Sequence, residues 1–133
     1  MPDEFVFPIC GTCRHPSQEA KRYSDLVCST VPLRRGFPAF DMVLLGAGDD
    51  GHTSSIFPGQ EYLLSSFQPY EESINPYNGQ PRIAMTGCLL FSAKKIVFLI
   101  TGKGKAGVDT GPAAYVAHHA EDVDIFTDIE ITG

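Results

Sequence analysis

The residues best suited to chemistry lie together in the run Asp50-Gly51-His52-Thr53. A histidine titrates near neutral pH, so its neutral imidazole can take a proton from water. A carboxylate nearby, here Asp50, can fix the ring tautomer and stabilise the imidazolium that forms. The turn carrying Gly46, Gly48 and Gly51 offers backbone N–H groups that could hold a developing oxyanion. The same residues also suit a structural arrangement, with Asp50 capping a short helix and His52 packed under the loop. Types and spacing permit both.

Other chemistries fit less well. Gly46-x-Gly48-x-x-Gly51 after an apolar run matches the dinucleotide fingerprint literally. Asp49 and Asp50 would then sit beside a pyrophosphate and repel it, and Glu71 or Glu72, about twenty positions on, falls in a polar stretch. Gly102-Lys103-Gly104-Lys105 has neither the spacing nor the hydroxyl of a P-loop, and no G-x-S-x-G is present. Cys10-Gly11-Thr12-Cys13 is followed by Arg14-His15-Pro16 rather than by a helix. His15, Cys28 and Cys88 are too scattered to complete a zinc site. Ordinary reduced cysteines are expected, and no metal.

The elements that would position His52 read as follows. Phe5–Ile9 is a short strand candidate. Pro16 suits a helix start, and Ala20, Tyr23, Leu26 and Val27 give Ser17–Val27 helical spacing. Phe40–Leu45 and Lys95–Thr101 are near-continuous apolar runs, as parallel strands covered on both faces require. Each runs into a glycine turn, which places both turns at the carboxyl edge of an open sheet, where ligands bind. Thr53–Phe57 reads as a helical turn stopped by Pro58-Gly59, Ser65–Gln80 as loop, and Arg82–Thr86 as a strand. Ala113–Ala117 and Val123–Thr127 read as closing segments.

With 133 residues, 43% hydrophobic and 20% charged, the chain has one domain's length and too much apolar content for disorder. No apolar run reaches the roughly 18 residues of a membrane span. A formal net charge of -6 without a basic stripe argues against nucleic acid and anionic membranes as partners. Met1–Pro8 lacks a basic leader segment, so a cytoplasmic protein is expected.

The stretch from Phe40 to Gly59, with Gly46-Ala47-Gly48-Asp49-Asp50-Gly51-His52 at its centre, resembles the signature of the 6-phosphogluconolactonases. These share an α/β superfamily with the glucosamine-6-phosphate isomerases/deaminases. Pro81–Thr86, Ile96–Ala106 and Pro112–Val116 resemble later family segments in the same order. Thr53-Ser54-Ser55-Ile56-Phe57-Pro58 favours the lactonase branch over the deaminases, which continue into an Ala-Phe-Asn-Glu-Pro run. The resemblance implies hydrolysis of 6-phospho-D-glucono-1,5-lactone to 6-phosphogluconate, in the oxidative pentose phosphate pathway, with no metal and no organic cofactor. By position, His52 would be the general base and Asp50 its orienting carboxylate. Gly46, Gly48, Gly51 and Thr53 would face the substrate. Lys105 would hold the 6-phosphate, with Arg82 a second candidate for that anion.

Family members are about twice this length, and the resemblance covers the second half of one. The implied fold is α/β: a partial open, mostly parallel sheet with flanking helices, the carboxyl-terminal half of a NagB/RpiA-like doubly wound fold. Residues 1–133 would form one partial domain. Gly107–Gly111 stands where members carry a full helix. An uncovered sheet edge points to self-association. The alternative to an enzyme is a non-catalytic family remnant binding a phosphosugar or a protein.

Overall fold

In the computed structural model, which describes residues 6–12, 14–48, 50–100 and 111–127, Pro16 opens helix α1 (Pro16–Thr30) where its missing N–H costs no hydrogen bond. Ala20, Ser24 and Val27 recur on one face and are buried. The helix stops because Pro32 drives Val31 into extended backbone, at φ -92° and ψ 132°. It runs three residues beyond the predicted end. Two short strands follow, β1 (Leu33–Arg34) and β2 (Phe37–Pro38), paired antiparallel.

The centre is a three-stranded parallel sheet of β3 (Val43–Leu45), β6 (Ile96–Ile100) and β7 (Val123–Thr127), in the order β3-β6-β7. Val43 lies opposite Ile96, and Ile96 opposite Val123. Side chains alternate across the pleat, so one face carries Val43, Leu45, Ile96, Phe98 and Ile100, all buried. Ile56, Leu63, Leu90, Ala113 and Val116 close over that face. The parallel step from β6 to β7 passes through helix α3 (Gly111–His119), which buries Pro112, Ala113, Ala114 and Val116. The closing segment expected at Ala113–Ala117 is thus the crossover helix.

The main departure from expectation is an antiparallel hairpin of β4 (Tyr70–Ile74) and β5 (Pro81–Met85), with Ser73 opposite Arg82. The sequence reading gave loop through Gln80. The adjacent carboxylates Glu71 and Glu72 hide the apolar alternation that marks a strand. Helix α1 covers this hairpin. The buried Ser24 hydroxyl donates to the Ala20 carbonyl at 2.7 Å and accepts the Tyr70 N–H at 2.9 Å. Ala20, Val27, Tyr70 and Leu89 form a second core cluster, joined to the first through Phe40 and Met85. A 3₁₀ turn (Glu61–Ser65) and the one-turn helix α2 (Gly87–Leu90) complete the packing.

Two further expectations change. Residues 6–9 are not in a strand, and Phe5 lies outside the described residues. Thr53–Ile56 is a tight antiparallel bridge with Ser54 at φ 56° rather than a helical turn. The predicted glycine turn at Gly102–Lys105 also lies outside the described residues.

Candidate active site

Strand β3 ends at Leu45 and the chain leaves the sheet through a turn that closes on itself. The Gly48 N–H donates to the His52 carbonyl at 2.9 Å, and the Gly51 N–H to the Gly48 carbonyl at 3.0 Å. Gly51 sits at φ +86°, backbone that a side chain would strain. Its carbonyl accepts the Ala113 N–H at 2.8 Å, which docks the start of α3 onto the turn. On the other side, the Ser54 hydroxyl accepts the Met85 N–H at 2.9 Å and joins the turn to the end of β5. The parallel sheet, the crossover helix and the hairpin therefore all fix this one turn.

Within it, Asp50 Oδ1 lies 2.6 Å from His52 Nδ1 and accepts the His52 main-chain N–H at 3.0 Å. An ionised carboxylate only accepts, so Nδ1 carries the proton and Nε2 is the basic nitrogen. No hydrogen bond engages Nε2 among the described residues. The ring stacks at a tilt on Phe57, with centroids 4.6 Å apart, and its side chain is one-third exposed. Partial burial pushes the Asp50 carboxyl up. The His52 amide, the Tyr77 hydroxyl and the His52 ring together pull it further down, so it titrates below the ordinary carboxylate value. Asp50 is thereby kept in its ionised form beside the imidazole.

The pair opens on a cleft of about 470 Å³ lined by Asp50, His52, Phe57, Asn75, Tyr77 and Arg82. One wall is the turn, and the other is the tip of the β4–β5 hairpin. Arg82 is exposed and is the cation of that lining. The arrangement can deprotonate a water against an electrophilic carbon while a cation holds an anionic substituent.

The family of glucosamine-6-phosphate isomerases/6-phosphogluconolactonase matches residues 1–121. The chain belongs to that family. A 6-phosphogluconolactonase of Treponema pallidum is 38% identical over 109 residues, covering 79% of this chain and 45% of that protein. One of Haemophilus influenzae is 33% identical over 130 residues, covering 92% and 52%. The solved structure of 6-phosphogluconolactonase from Trypanosoma brucei superposes with a TM-score of 0.80 at 25% identity, covering 96% of this chain and 60% of that one. The chain spans about half the length of the curated relatives it matches.

For this member of the glucosamine-6-phosphate isomerase/6-phosphogluconolactonase family, the structure brings Asp50, His52 and Arg82 to one cleft. Lys105 lies outside the described residues. Two expectations need correction. Thr53 is buried and its hydroxyl donates to the Gly46 carbonyl at 2.6 Å, so it closes the turn instead of reaching into the cleft. The Gly48 and Gly51 N–H groups are engaged within the turn, which removes them as ready oxyanion donors.

Sequence reasoning missed Asn75 and Tyr77. The available signal was Asn78-Gly79, a hairpin turn pair that would have brought residue 77 back toward the sheet. Among the described residues, no group of three or more His, Cys, Asp or Glu side chains is placed to hold a metal. Cys10 and Cys28 are exposed free thiols, and Cys13 lies outside the described residues.

Proposed function

We propose that this chain carries the hydrolytic site of a 6-phosphogluconolactonase, acting on 6-phospho-D-glucono-1,5-lactone in the cytoplasm as part of the oxidative pentose phosphate pathway. His52 Nε2 takes a proton from water as its oxygen bonds to the lactone carbonyl carbon. The tetrahedral intermediate collapses by breaking the bond to the ring oxygen. The His52 imidazolium returns the proton to that oxygen, leaving 6-phosphogluconate. Asp50 holds the Nδ1–H and balances the transient positive charge. Arg82 and Lys105 bind the 6-phosphate. A δ-lactone is an activated ester, so one placed base, worth about 10²–10⁴-fold, plus orientation is adequate.

The observation that supports this most is the 2.6 Å contact of Asp50 with His52 Nδ1 at a cleft rim, in a chain whose relatives are 6-phosphogluconolactonases. The test follows acid release from freshly made 6-phosphogluconolactone by folded protein. A rate above the spontaneous one, lost on His52→Gln, is expected. No excess rate from a cooperatively folded sample would sink the proposal.

A second reading concerns the open face of the central sheet. Leu44, Leu99 and Phe126 share that face and are 62%, 52% and 59% exposed. β3 stands at the end of the strand order. A partly exposed apolar face beside an edge strand favours association with a second copy of the chain. Sedimentation should give a dimer mass that Leu99→Glu reduces to the monomer. A monomer for the unmutated chain at all concentrations rejects this reading.

A further inference from the structure

Asp50 is held at both ends, and the second holder comes from far along the chain. Oδ1 takes the two donors of His52, and Oδ2 accepts the Tyr77 hydroxyl at 2.7 Å. The terminal torsion of an aspartate is broad and nearly two-fold, so one bonded oxygen does not prevent the carboxylate from turning. A donor on each oxygen does. We infer that Tyr77 is a positioning residue, its hydroxyl locking the Asp50 carboxylate so that His52 keeps its proton on Nδ1 and offers Nε2 to the cleft. The inference deepens the hydrolytic reading above and rests on it for the role of Nε2.

The hairpin tip is built to present this hydroxyl. Asn75 Oδ1 accepts the Tyr77 N–H at 2.9 Å, a side-chain turn that sets the backbone at residue 77. The Asn75 N–H donates to the Gln80 carbonyl at 2.9 Å, and the Gly79 N–H to the Asn75 carbonyl at 2.8 Å. Gln60 Nε2 donates to the Ile74 carbonyl at 2.7 Å and fastens the hairpin to the segment after Phe57. Tyr77 itself is 72% exposed, so its ring adds little to any core, and its directional contact is with Asp50. The Asp50 bond also raises the phenol above its ordinary value, as a hydroxyl donating to a carboxylate requires.

The deciding measurement is the tautomer of His52, read from ring-nitrogen shifts of ¹⁵N-histidine-labelled protein at neutral pH. The unmutated chain should show the Nδ1–H form. Tyr77→Phe removes only the hydroxyl and should add the Nε2–H form, seen as averaged shifts. Asn75→Ala, which releases residue 77, should shift the same signals in the same direction. In the hydrolysis assay Tyr77→Phe should lower kcat about tenfold with KM little changed. Unaltered His52 shifts in both variants would overturn the inference. The spectrum needs no turnover, so a chain without lactonase activity would defeat the functional reading while this readout still decided the part played by Tyr77.

Discussion

The imidazole of His52 occupies the space that a side chain on Gly48 would need. A β-carbon at Gly48 would lie 2.2 Å from both Nδ1 and Cε1 of the ring, and 3.0 Å from Asp50 Oδ1. The ring therefore rests between bare backbone on one side and Phe57 on the other. This packing, together with the Asp50 contact, aims the imidazole.

Gly48→Ala is expected to displace the ring rather than unfold the chain, because His52 is a partly exposed side chain that can swing outward. Lactone hydrolysis should fall by about 10²-fold or more, as for loss of a placed base, with a small change in the thermal midpoint. Full activity in Gly48→Ala would show that the ring position is not critical.

Thr53→Val tests the turn's closure. The hydroxyl is buried and donates to the Gly46 carbonyl at 2.6 Å, and valine keeps the shape while removing that hydrogen bond. The expected cost is about 0.5–1.5 kcal/mol, measured by denaturant unfolding. Thr53→Ser, which retains the hydroxyl, should recover part of it.

Arg82→Met should raise KM for the phosphorylated lactone about tenfold, the loss of one charge-assisted contact to an anion. KM for glucono-1,5-lactone, which carries no phosphate, should not move. Equal effects on both substrates would assign Arg82 to the hairpin and not to the anion.

Stability should fall in acid through Glu19. This carboxylate is buried, accepts from Arg22 at 2.5 and 2.7 Å and from the Cys10 N–H at 2.6 Å, and is lowered to about 2, chiefly by the Arg22 hydrogen bonds. The folded value lies below that of the unfolded chain, about 4.3. Its contribution is therefore complete above the unfolded value and is lost as pH drops toward 2. Thermal midpoints measured from pH 5 to 2 should decline, and Glu19→Gln should flatten that decline.

The parts legible in the sequence were those set by local rules. Pro16 marks the start of α1, and the apolar runs Phe40–Leu45 and Lys95–Thr101 contain the parallel strands β3 and β6. Gly46, Gly48 and Gly51 announce a turn, and Gly51 there adopts the positive φ that favours glycine. Strand β4 was hidden because Glu71 and Glu72 stand on a narrow, partly exposed ribbon, where burial is imposed by α1 and not by local pattern. Thr53 was placed in the cleft because sequence order gives no direction to a side chain, and the Thr53–Ile56 bridge turned it inward.

By itself the sequence determined which chemistry was available: a histidine two residues after a carboxylate, in a glycine turn following a buried strand. Only the tertiary structure decided how that chemistry is aimed. Chain folding brings Tyr77 across 27 positions to the free oxygen of Asp50, and lays α3 and β5 against either side of the turn. Such contacts depend on the register of the hairpin and the packing of the crossover helix. Both are set by burial summed over many residues, and neither is written at the positions that finally meet.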